Sequence, residues 1–245
     1  MIKEAISRGI QHLCITDHMD YDYADGGICF EFETGEYFRR LKALQEKYKD
    51  QIDLRIGVEL GLQPYLSKRH HNLVFSHSFD FVIGSIHLVH TKDPYFPSYF
   101  EGRKESEAYY EYFLCALQNL QSYSNFDTFG HLDYVVRYGP NKNQFYSYER
   151  YQELLDEILR TLVRKDIGLE INTGGYKYGL GAPNPCREII TRYRELGGQI
   201  ITLGSDAHAP EYLCYEMERA LQLAKECGFS SYYIFHNRKP IELPL

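Results

Sequence analysis

The feature that most constrains this chain is a pattern that recurs six times: a short apolar run followed by a longer stretch with helical spacing. Apolar runs of this length read as buried strands, and their alternation with helices implies a mainly parallel sheet, open or closed into a barrel. The strands are expected over residues 12–18, 53–60, 79–88, 126–133, 168–172 and 199–203. Helices are expected over 1–8, from Thr34 as cap through Tyr48, over 66–75, over 104–123, and from Ser147 as cap through Leu162. Asn184-Pro185 reads as an N-cap with proline in the first turn of a helix ending at Gly197, and another helix runs to Gly228. A last strand over 232–235 leads into a proline-containing tail. With 245 residues and no low-complexity or linker segment, the chain reads as one α/β domain spanning 1–245.

The strands end in residues suited to a divalent cation. The fullest example is Gly204-Ser205-Asp206-Ala207-His208, where a carboxylate and an imidazole two residues apart lean to one side of an extended backbone. The same placement recurs at Asp17 and His18, at Glu59, at His87 and at His131. Any one of these has a structural explanation. Seven side chains at the same end of five strands point to a shared metal centre, at the end of the sheet where barrel enzymes carry their chemistry. His90, just past a strand end, is the other histidine of interest, whereas His12, His70, His71, His77 and His236 read as structural or solvated.

Composition excludes other classes. A net charge of −7 argues against a dedicated nucleic-acid binder. Six dispersed cysteines without a Cys-x-x-Cys pair suit reduced thiols in a cytoplasmic protein. No apolar run approaches the roughly 18 residues of a membrane span.

The ordered set Thr16-Asp17-His18, Gly57-Val58-Glu59, Gly84-Ser85-Ile86-His87, Gly130-His131-Leu132-Asp133 and Ser205-Asp206-Ala207-His208 resembles the PHP (polymerase and histidinol phosphatase) family. Phe129-Gly130-His131-Leu132-Asp133 running into Arg137-Tyr138-Gly139, with Glu170-Ile171-Asn172-Thr173-Gly174, is similar to its histidinol-phosphatase branch. The resemblance covers essentially the whole chain. It implies a distorted seven-stranded (β/α) barrel, TIM-like, holding up to three zinc, iron or manganese ions. By likeness, Glu59 bridges two ions, His87 and His131 hold one of them, His18 and His208 hold another, and Asp206 completes or bridges the first site. Family members open with a strand ending in His-x-His, which this chain does not show. The first strand is therefore expected to be missing, with fewer ions bound.

The implied activity is hydrolysis of a small-molecule phosphate ester, L-histidinol phosphate, in histidine biosynthesis. Clustered cations would generate hydroxide and neutralise phosphoryl oxygens during in-line attack. Arg137 could fork onto the phosphate or sit in a surface ion pair. Asp17 could orient a ligand histidine or donate a proton to the leaving alkoxide. Tyrosine and phenylalanine around 95–100 could wall a pocket for an imidazole. The alternatives are a phosphoesterase with another substrate, a barrel that cleaves C–N bonds, and an inactive truncated form. Oligomeric state is left open.

Overall fold

The sheet is assembled on β3 (Asp53–Gly61), in which every residue after Asp53 is buried. A strand buried on both faces needs cover on each side, which parallel connections supply by placing helices there. The computed structural model describes residues 1–23, 27 and 29–245; part of the loop over 19–33, between the expected strand at 12–18 and the expected helix from Thr34, lies outside the described residues. β1 (His12–Ile15) and β2 (His18–Met19) run in line along one side of β3, interrupted at Thr16 and Asp17. On the other side follow β4 (Phe81–Ser85), β5 (Thr128–Phe129), β6 (Gly168–Asn172) and β7 (Ile201–Gly204), each parallel to its neighbour. The result is a seven-stranded parallel sheet curled into a half-barrel, with six positions along the curl because β1 and β2 share one.

Helices α2 (Thr34–Tyr48), α3 (Ser67–Ser76), α4 (Glu105–Ser122), α5 (Gln152–Arg164), α7 (Arg187–Glu195) and α8 (Met217–Glu226) connect the strands. Their inward residues, among them Phe38, Leu41, Phe113, Leu155, Leu159, Ile190 and Ala220, join the strand side chains in one continuous core. A smaller cluster lies under α1 (Ile2–Ser7), where Ile2 and Ala5 meet Ile52, Leu54 and Leu213. The short α6 (Gly174–Lys177) follows β6 directly.

Four local expectations are corrected. The N-cap of α2 is Glu33, not Thr34: its carboxylate accepts from the backbone N–H of Gly35 and Glu36, and suits the positive helix end. Ser147 makes no side-chain cap, and a short 3-10 turn over Tyr148–Tyr151 precedes α5. Cys186 occupies the N-cap position of α7, because the Asn184 side chain is committed elsewhere. The tail is no loose end: β8 (Ser231–His236) and β9 (Lys239–Pro244) form an antiparallel hairpin.

That hairpin closes the amino end of the sheet. Asp80 and Asp127, at the starts of β4 and β5, accept from the backbone N–H of Ile56 and Val82. Asp80 also accepts from the Asn237 N–H, and Asp127 pairs with the Arg238 guanidinium at 2.9 Å. Arg55 donates to the Phe235 carbonyl. The amino end is thereby locked, and the carboxyl end stays open for chemistry.

Candidate metal centre

Parallel register brings the strand ends to a common level. His18 pairs with Glu59 across β2 and β3, while Leu60 stands opposite Gly84 and Gly84 opposite Phe129. His87 and His131 follow two residues beyond their strands, and Asp206 and His208 follow β7. His131 and Asp206 take positive φ values, +22° and +50°, a conformation that non-glycine residues adopt only where their surroundings hold them.

Glu59, His87 and His131 form a tight, buried triangle. The Glu59 Oε1 lies 3.1 Å from His87 Nε2 and 3.0 Å from His131 Nε2, and the two nitrogens are 3.4 Å apart. A tetrahedral ion with bonds of about 2.0–2.1 Å needs ligand atoms on the order of 3.3 Å apart. The donors fit zinc in kind and in spacing. The buried His131 Nδ1 has no hydrogen-bond partner among the described residues, and the ring meets the cluster through Nε2. His18, Asp206 and His208 form a second group whose ligand atoms lie within 4.8 Å of one another. This group is more open, the His208 side chain being 64% exposed. The two groups meet at His18, whose ring centroid is 5.0 Å from that of His87 and 5.5 Å from that of His208.

Asp20 was not foreseen. Both of its oxygens lie 3.0 Å from His87 Nδ1, and Oδ2 lies 3.6 Å from His18 Nδ1. It fits only because position 61 is glycine: a Cβ there would stand 1.9 Å from Asp20 Oδ1. The His18–Asp20 spacing, two residues on one side of a strand, was the available signal.

The electrostatics ask for positive charge. Burial disfavours the imidazolium of His87, yet Asp20 and Glu59 outweigh it and hold its proton well above the ordinary range. Burial likewise opposes protonation of His18, but the charge of Glu59 and the nearby Asp20 carboxylate raise it to about 9. Burial also works against the ionised form of Asp206, and the Arg137 charge overrides this, bringing its carboxyl to about 2. Glu170 behaves oppositely: burial, then the charge of Glu59, push it up to about 7. A divalent cation would take the place of the protons held on His18 and His87 and relieve the repulsion between Glu59 and Glu170.

Arg137 is not in a surface ion pair. Its buried guanidinium donates to Asp206 Oδ2 at 2.7 Å, to Asn172 Oδ1 at 2.8 Å and to Asn184 Oδ1 at 2.7 Å. Asp17 is exposed on the wall of a cleft of about 760 Å³ that runs between β1 and β7, and joins none of the three ligand groups among the described residues, the third being His18, Asp20 and His87. His18, Glu59, Glu170, Asp206 and His208 line the same cleft. His90 points to Glu111 and stays outside the cluster. The aromatic expectation divides. Tyr99 and Phe100 are core residues, whereas Tyr95 stacks edge-on against Tyr138, which meets Tyr134, whose ring lies 4.9 Å from that of His131.

The model of the PHP domain family matches residues 1–174. The chain is 34% identical to the histidinol-phosphatase of Lactococcus lactis subsp. lactis, over 97% of this chain and 88% of that one. It is 30% identical to a probable histidinol-phosphatase of Clostridium acetobutylicum, over 93% and 88%. Among solved structures, the Lactococcus lactis histidinol phosphate phosphatase, complexed with zinc, L-histidinol and phosphate, superposes with a TM-score of 0.88 at 33% identity, covering 98% of this chain and 90% of that one. A Listeria monocytogenes structure at 18% identity, TM-score 0.77, shares the fold.

Proposed function

The chain belongs to the PHP domain family, and we propose that it is a metal-dependent phosphomonoesterase that hydrolyses L-histidinol phosphate to L-histidinol. The observation that carries this is the buried Glu59–His87–His131 triangle with its 3.0–3.4 Å edges. The substrate comes from the relatives: both are named for histidinol phosphate hydrolysis, and the solved one holds zinc, L-histidinol and phosphate.

Glu59, His87 and His131 would hold one ion, and His18, Asp206 and His208 a second, zinc in each case. Family members reach three, with iron or manganese as further candidates. Bound metal supplies hydroxide at neutral pH and neutralises charge on the phosphoryl oxygens. The protein's own residues do the rest. Asp20 fixes His87 with Nδ1 protonated, leaving Nε2 free for the ion. Arg137 holds Asp206 in place through Nη1, and its guanidinium charge would favour a phosphate oxygen beside that carboxylate. Asp17, exposed on the cleft wall, would pass a proton to the leaving alkoxide. The rings of Tyr134, Tyr138 and Tyr95 offer an apolar wall for the imidazole.

The test is phosphate release by zinc-loaded protein across L-histidinol phosphate, nucleoside monophosphates and a phosphotyrosine peptide. Preference for L-histidinol phosphate by at least tenfold in kcat/KM supports the assignment. Equal or better turnover of another ester moves the chain to a different substrate.

A further inference from the structure

Between the Glu59–His87–His131 and His18–Asp206–His208 groups runs an unbroken chain of hydrogen bonds, buried except at its Arg137–Asp206 end. The backbone N–H of His131 donates to Glu170 Oε2 at 2.9 Å. The same oxygen accepts from Asn172 Nδ2 at 3.0 Å. On its other side, the Asn172 Oδ1 accepts from Arg137 Nη2 at 2.8 Å and from the Gly174 N–H at 2.9 Å. Arg137 Nη1 then reaches Asp206 Oδ2 at 2.7 Å. Glu170, Asn172 and Arg137 are each at most 5% exposed. The Glu170 carboxylate sits in a notch that exists because residue 204 is glycine, where a Cβ would approach Oε1 to 2.1 Å.

Resting on the metal-site reading above, we infer that Asn172 is a positioning residue that couples the two metal sites, setting His131 through Glu170 and Asp206 through Arg137. At the centre of the chain a carboxylate lies on one side and a guanidinium on the other. A primary amide is the side chain of this size that donates to the first and accepts from the second. An aspartate would accept from Arg137 but set two carboxylates against each other at about the present 3.0 Å. A leucine would leave both neighbours unpaired in a buried site. The far end of the chain matters because His131 has φ +22°, a region in which non-glycine residues are held by their surroundings. The Glu170 bond to its N–H does that holding.

Asn172→Asp is therefore the discriminating variant. It retains the Arg137–Asp206 arm and breaks the Glu170–His131 arm. Asn172→Leu breaks both. Glu170→Gln preserves one oxygen for the His131 and Asn172 donors and serves as the conservative rescue. Three readouts apply: hydrogen exchange at the His131 amide in metal-free protein, zinc affinity of each site by chelator competition, and the visible spectrum of the cobalt-substituted protein. Expected are faster exchange at His131 and roughly 10- to 100-fold weaker zinc binding at the Glu59–His87–His131 site in Asn172→Asp, with the His18–Asp206–His208 site unchanged. Both sites should weaken in Asn172→Leu, and Glu170→Gln should match wild type with an unaltered cobalt spectrum. The inference is overturned if Asn172→Asp leaves the His131 exchange rate and both zinc affinities within twofold of wild type. It is also overturned if exchange rises uniformly across the chain, which marks a role in folding only. If Asn172→Leu fails to fold, the isosteric Asn172→Asp decides. A wild-type protein that binds no zinc would sink the metal reading instead, and exchange at His131 would still test the hydrogen-bond chain.

Discussion

Replacing Asp20 with asparagine removes a charge from the site without changing its size. In the native protein both Asp20 oxygens lie 3.0 Å from His87 Nδ1, and His87 Nε2 faces Glu59 and His131. A hydrogen bond to a charged group contributes about 1.5–3 kcal/mol and one between neutral groups about 0.5–1.5 kcal/mol. The substitution should therefore weaken zinc binding by about 1–1.5 kcal/mol, or roughly five- to tenfold. Asp20→Ala leaves the buried Nδ1–H without a partner, so the total loss should reach roughly 100-fold. Asp20→Glu should not rescue, because the wall at Gly61 leaves no room for another methylene. The metal-free protein gives an independent measure. Burial works against the Asp20 carboxylate, but the charge of His87, its hydrogen bond and the nearby His18 outweigh it, and its folded pKa falls from 3.8 to about 2. A lowered carboxylate pKa contributes stability that is complete above pH 4 and disappears as pH falls toward 2, about 2 kcal/mol here. Chelator competition and urea unfolding from pH 6 down to pH 2 measure both quantities. Zinc affinity within twofold of wild type in Asp20→Asn, or no further loss in Asp20→Ala, would refute the reasoning.

His18 gives the opposite sign: its raised pKa, about 9, stabilises the metal-free fold fully below pH 6.5, and that contribution is lost as pH climbs to about 9. Thermal melts of metal-free protein over this window should show the decline, and zinc, displacing the same protons, should abolish it. Stripping metal with a chelator should end phosphate release, and zinc alone should restore it. Zinc at 100 times its dissociation constant should add about 2.7 kcal/mol to unfolding stability by urea titration. Leu159→Ala, in the fully buried face of α5, should cost about 2–5 kcal/mol while zinc stoichiometry by elemental analysis stays at the wild-type value.

The strands and the ligands at their ends were legible because they obey a local rule, an apolar run that stops at a polar side chain. Glu59, His87 and His131 follow it, and register brings them together. What was not legible depends on partners far away in sequence. Asp20 gains its role from His87 across 67 residues, and Glu170 from the His131 N–H across 39. Arg137 reads locally as either a phosphate fork or a surface charge, and burial beside Asp206 appears only once β5 and β7 are brought to the same end of the sheet. The terminal hairpin was hidden for a different reason. Its turn, Asn237-Arg238, takes positive φ at both residues, a geometry that usually calls for Asn-Gly. Arg238 accepts it while anchored to Asp127, and the prolines at 240 and 244 make the second strand look like a tail.

The notch at position 61 means that the metal centre has a dependency on a residue with no side chain to offer it. Adding one methyl group there, as Gly61→Ala, would evict Asp20 from beneath His87 and produce the phenotype of an Asp20 deletion with every ligand intact. Surveys that look for loss of function only among charged and imidazole residues would pass over this position, although it decides whether the second carboxylate can be present at all.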